Sequence, residues 1–225
     1  MDFLAIIRSL EELLYEVMSW LIFYPRTLWR ITVNPAGMTL YSDDEQDDAP
    51  AERYSDALSP PLLLLITLVL SHIVELSFGL QGPKGDGGTV AKTLVGSEQS
   101  LLMVRALLFA VIPVTIASIV LRMQHKAFDR ETLRAPFYSQ CYLVVPFALL
   151  ASLAGNLARA PGHDWGAAGG AMFAVALVWF VWAETLWLRR QLGLGGAKAF
   201  LTAIACVVAA LLVCLFMAFL VSLAI

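Results

Sequence analysis

The feature that most constrains this chain is the run 59–80, SPPLLLLITLVLSHIVELSFGL, which is apolar over the length of a bilayer crossing. At about 1.5 Å per residue, some 20 helical residues cross a hydrocarbon core roughly 30 Å thick. The run therefore predicts a transmembrane helix, with Ser59 as its N-cap and Pro60 where a helix start tolerates proline. Similar segments recur at about 99–121, 136–157, 167–188 and 198–225. Hydrophobic residues make up 59% of the chain and charged ones 15%, against about 25% in soluble domains. The expected fold is all-α: a five-span membrane helix bundle (59–225) behind an N-terminal region (1–58).

Within that region, Phe3, Ile6, Ile7, Leu10, Leu13, Leu14, Val17, Met18 and Leu21 follow the three-four spacing of one helical face. An amphipathic helix over 2–24 is predicted, ended or kinked by Pro25. Its apolar part is too short to span. Arg8 stands alone against Asp2, Glu11, Glu12 and Glu16, whereas helices that lie on anionic lipid carry Lys and Arg on the polar face. A protein partner, or a second copy of the chain, is the expected contact. The same acidic opening lacks the basic n-region of a signal peptide, so none is predicted.

Arg26, Trp29 and Arg30 suit a headgroup boundary, and Asn34-Pro35-Ala36-Gly37 predicts a turn. The tract 43–56 carries Asp43, Asp44, Glu45, Asp47, Asp48, Glu52 and Asp56 against Arg53, and is expected to be a solvated loop. A docking tract for a basic partner is the other reading; the calcium-loop pattern with its central Gly is absent. Pro113 and Pro146 fall inside spans two and three, and Pro136 is placed at the start of span three. Gly166 and Gly170, in GxxxG spacing, are expected to let span four approach a neighbour closely.

Charge asymmetry orients the chain. Arg8, Arg26, Arg30, Arg53, Arg122, Lys126, Arg130, Arg134, Arg189, Arg190 and Lys198 fall on one side, eleven of the fifteen cations. Lys84, Lys92 and Arg159 fall on the other, and Arg105 lies inside span two. The positive-inside tendency makes the first side cytoplasmic, so the N-terminus is expected inside and the C-terminus outside.

A charge inside a span costs about 2.5–3.5 kcal/mol on insertion scales and needs a partner. Glu75 and Arg105 lie at similar depth on adjacent antiparallel spans, which predicts an ion pair between them. His72 sits one turn below Glu75 on the same face, and Asn156 is a further member of this outer group. Near the inner boundary, Glu184, Trp187 and Arg190 follow one another at helical steps, with Tyr138 and Gln140 at comparable depth; boundary anchoring is the expected role.

Enzyme motifs are missing: there is no HExxH and no GxSxG, and the loop sequence GPKGDGG lacks the ending of a phosphate-binding loop. Cys141, Cys206 and Cys214 lie in apolar stretches without metal or redox spacing. No catalytic, cofactor or metal residues are assigned, and no nucleic-acid partner, because the basic clusters are the loops that topology explains.

The junction Tyr24-Pro25-Arg26-Thr27-Leu28-Trp29-Arg30-Ile31-Thr32-Val33-Asn34-Pro35, followed by five spans, resembles the Yip family and its bacterial relatives labelled as small permeases. In the eukaryotic branch the resemblance implies binding to prenylated Rab GTPases and trafficking work; the layout is equally compatible with a bacterial inner membrane. Two functions are therefore expected of such a chain. One is a non-enzymatic accessory or organising subunit; the other is a small transporter or channel with its polar site at His72, Glu75 and Arg105.

Overall fold

The computed structural model describes residues 3–49, 52–80, 98–161 and 164–223; within its helices, the side chains of 3–7, 13, 98–102, 105 and 221–223 lie outside the description. Among the described residues seven helices follow one another and no strand occurs: α1 (Phe3–Val33), α2 (Pro35–Asp47), α3 (Pro60–Ser77), α4 (Glu98–Met123), α5 (Arg130–Ala158), α6 (Gly166–Leu192) and α7 (Gly196–Leu223). The last five are long and apolar enough to cross a membrane, as expected. In lipid every backbone N–H and C=O must find an internal partner, and a helix provides one without an edge.

The bundle is built around α5. It packs against α3, α4 and α6 among the spans and receives α2 at its first half, while α7 sits against α4 and α6 on the far side. From Ser139 to Ala148 every residue of α5 is buried. Its middle is filled by stacked aromatics, Phe147 lying 4.9 Å from Phe180 of α6, centroid to centroid.

Three boundaries differ from expectation. Helix α1 runs through Pro25 to Val33, because Thr27, Leu28 and Ile31 are held by the bundle: the amide of Leu58 donates to Thr27 Oγ1, and Ile31 is in the core. Asn34-Pro35 then starts α2 instead of making a loop; the Asn34 side chain accepts from the Gly37 amide, and Pro35 takes the first helical position. Pro136 is not at the start of α5, which begins six residues earlier with a capping box on Asp129, whose carboxylate accepts from the amides of Glu131 and Thr132. Pro113 and Pro146 lie inside α4 and α5.

The close helix approach is also made by another glycine. Gly166 and Gly170 face no neighbouring helix closely, whereas a Cβ on Gly169 would lie 2.7 Å from the Ala154 carbonyl and 2.8 Å from the Ala158 methyl of α5. Gly169→Ala should therefore lower stability by about 1–3 kcal/mol through overpacking. Gly170→Ala, with open space around it and a helix propensity gain of about 1 kcal/mol, should be neutral or stabilising. Thermal unfolding of the two variants in one detergent checks the order.

Candidate functional site

Polar side chains gather at the two ends of the bundle, and each group is built from helices distant in sequence. At the α2 end, the tract expected as a solvated loop is helical up to Asp47, and two of its carboxylates point inward. Asp43 accepts from Arg190 of α6 at 2.6 Å, from Ser139 of α5 at 2.8 Å and from Gln191 at 3.2 Å. The other Arg190 nitrogen donates to the Ala36 carbonyl and to Thr39 Oγ1. One guanidinium thus ties α6 to the first three turns of α2. Burial raises the Asp43 carboxyl above its ordinary value, opposed by Ser139 and Arg190, which favour the charged form.

Tyr54 closes the tract over this contact. Its backbone is left-handed, with φ of 59°, a conformation costly for a non-glycine residue. The hydroxyl accepts from Gln46 at 2.6 Å and lies 3.3 Å from Ser42, its amide donates to the Glu45 carboxylate, and its ring stacks on Tyr138 and meets Tyr142 edge-on. Burial pushes the Tyr54 hydroxyl up to about 12. Tyr142 in turn donates to the Leu58 carbonyl at 2.6 Å, and Arg30 pairs with Asp56 at 3.1 Å. The acidic tract is therefore a docked cap on the bundle; Asp44, Asp47, Asp48 and Glu52 remain exposed on its outer side.

Glu184 lies one layer deeper. It was expected at the membrane boundary beside Trp187 and Arg190, but both Glu184 and Trp187 are buried in the core, and Arg190 is committed to α2. Gln140 of α5, expected at this depth, donates to Glu184 at 3.1 Å. The second Glu184 oxygen has no hydrogen-bond partner among the described residues.

At the opposite end, His72 and Glu75 of α3 are buried side by side, with Nδ1 3.5 Å from the carboxylate. Glu75 accepts from Arg159 at 2.8 Å, and Arg159 also donates to Asn156 at 2.9 Å. Asn156 thus joins the outer group as expected. The Arg105 side chain, expected to pair with Glu75, lies outside the described residues. Arg159 was missed as a partner because it sits past the last turn of α5, at its C-cap, where a charge reads as a loop cation. Its spacing of three from Asn156, with Asn156 on the buried face, was the available signal.

The N-terminal half of α1 stands apart from both groups. Every described residue from Arg8 to Met18 is exposed, Leu10 by 54%, Leu14 by 58% and Met18 by 58%. Contacts to the bundle begin at Trp20, Phe23 and Tyr24, whose hydroxyl lies 3.1 Å from Thr67. Below Tyr15 and Trp20, a cavity of about 490 Å³ separates α1 from Arg53, Leu58, Arg134 and Tyr138.

Fold and sites together define an integral membrane protein of five spanning helices with an N-terminal helical arm and cap. No metal-binding group of His, Cys, Asp or Glu occurs among the described residues. Neither a protein-family model, nor a curated protein, nor a solved structure matches the chain.

Two substitutions separate the docked carboxylate from the solvated ones. Asp43→Ala should cost about 1–2 kcal/mol, since it removes a charge-assisted bond at a half-buried site, whereas Asp44→Ala should change stability by less than about 0.5 kcal/mol. Chemical unfolding in detergent reads both. At the other end, Arg159→Gln and Glu75→Gln should each lower stability, because each removes the charge-assisted bond between the end of α5 and the buried carboxylate. The double variant should recover part of the loss in a double-mutant cycle.

Proposed function

We propose that this chain is a non-enzymatic accessory or organising subunit of a membrane assembly, engaging a partner protein through the N-terminal half of α1. The observation that carries this reading is the exposure of Leu10, Leu14, Met18 and Leu21, which recur at helical spacing along the N-terminal part of α1. Such a stripe is costly to leave in water and fits a groove or a partner helix. Glu11, Glu12 and Glu16 flank it, so the partner's rim is basic, and an anionic lipid surface is disfavoured.

By the distribution of cations the arm and cap face the cytoplasm and the C-terminus faces outward, in an inner membrane of the bacterial kind. The Yip-like layout of a cytoplasmic N-terminal region before five spans supports an interaction role over a chemical one. The rival reading, a small transporter or channel, draws on the burial of His72 and Glu75 within the bundle. Five spans are little material for two related halves, and this favours the subunit reading.

The test is purification of full-length protein in mild detergent, with the mass of the intact assembly, beside a Leu14→Asp/Met18→Asp variant. A stoichiometric partner, or a second copy, should accompany the wild type and leave the variant, whose melting temperature stays unchanged because both positions are exposed. The reading is overturned if the variant keeps every companion, or if the wild type is a bare monomer that conducts solute flux in liposomes and loses it on Glu75→Gln.

A further inference from the structure

A groove lies elsewhere, between α4 and the first turns of α5. It holds about 810 Å³ and is lined by Val114 of α4 and by residues of α5 from Arg130 to Tyr138. Its chemistry changes along its length. At the helix start, Arg130 and Arg134 are one turn apart and both exposed, so their guanidinium groups share a face. About 12 Å further along α5 the walls are Phe137 and Tyr138, opposite Val114, with Leu133 between. Val114 is itself 40% exposed in the middle of a spanning segment, so the groove opens sideways to the surrounding lipid.

Topology accounts for cations in this connection, but not for their convergence on an apolar trough. Neither Arg130 nor Arg134 has an ion-pair partner among the described residues, although Glu131 lies at the same rim. The Arg134 guanidinium stands 5.5 Å over the Tyr138 ring, which places it at the aromatic wall of the trough. Paired guanidinium groups above an apolar channel match a phosphate joined to hydrocarbon, and basic pockets between spans are where anionic headgroups settle.

We propose that this groove binds one anionic glycerophospholipid, with its phosphate held by Arg130 and Arg134 and an acyl chain lying along Leu133, Phe137 and Val114. The site is independent of the partner surface on α1 and stands or falls separately from it. Its occupant is a lipid and not a soluble phosphate, because the trough below the two arginines is apolar and opens into the bilayer.

The test uses delipidated full-length protein in neutral detergent, offered phosphatidylglycerol, phosphatidylcholine of the same acyl chains, or glycerol phosphate. Native mass spectrometry should show one phosphatidylglycerol retained per chain, held at least tenfold more tightly than phosphatidylcholine, with a higher melting temperature. Glycerol phosphate alone should give neither effect. Arg130→Gln/Arg134→Gln should lose the tenfold preference, while Arg122→Gln/Lys126→Gln should keep it. Equal retention of the two lipids by the wild type overturns the proposal, and this comparison holds even if the arginine variant does not fold. So does undiminished preference in a folded Arg130→Gln/Arg134→Gln protein, or equal stabilisation by glycerol phosphate.

Discussion

Everything in this protein leans on the burial of α5. A helix with no exposed residue from Ser139 to Ala148 must be covered on all sides, and the cover decides where the other elements can go. Lipid can cover an apolar face, so α3, α4 and α6 would not be needed for that alone. The polar residues within the buried stretch and at its ends require protein. Ser139 needs Asp43 of α2, Gln140 needs Glu184 of α6, Tyr142 needs the Leu58 carbonyl, and Asn156 meets Arg159 beside Glu75 of α3. In hydrocarbon each of these groups would carry a desolvation cost of a few kcal/mol if left unmade. The helix order around α5 is in this sense specified by hydrogen bonds set into an apolar background.

The two ends are closed by different means. At one end a chain segment, α2 with Tyr54, folds back as a cap, and a single arginine of α6 binds three of its turns at once. At the other, the described contact is between side chains, with Glu75 held by the cation at the end of α5. The capped end therefore couples the N-terminal arm to the spans: α1 continues into α2, α2 is fastened to α5 and α6, and a force on the arm is delivered to the centre of the bundle.

Much of this was legible in advance, for identifiable reasons. Span number and rough limits follow from hydropathy and length, because the bilayer imposes both. The depth match between Glu184 and Gln140, and the membership of Asn156 in the outer group, follow from counting residues along antiparallel helices. The misreadings share a cause as well. The acidic tract was expected to be solvated because its composition is that of a loop, yet Asp43 and Glu45 fall on the inner face of α2, and composition carries no information about face. Gly166 and Gly170 matched a pattern, but the contact with Ala154 and Ala158 is made by Gly169, since the rotation of α6 about its axis is set by all its neighbours together.

The sequence by itself determined that this is a chain of five membrane-crossing helices with an amphipathic arm, because hydrophobic length and helical period are properties of a single segment. Only the tertiary structure decided that Arg159 reaches Glu75, that Arg190 serves α2, and that Arg130 and Arg134 overhang a trough. Each of these depends on helix rotation and on how far a long side chain must reach, and both are fixed by packing among segments that local sequence does not encode.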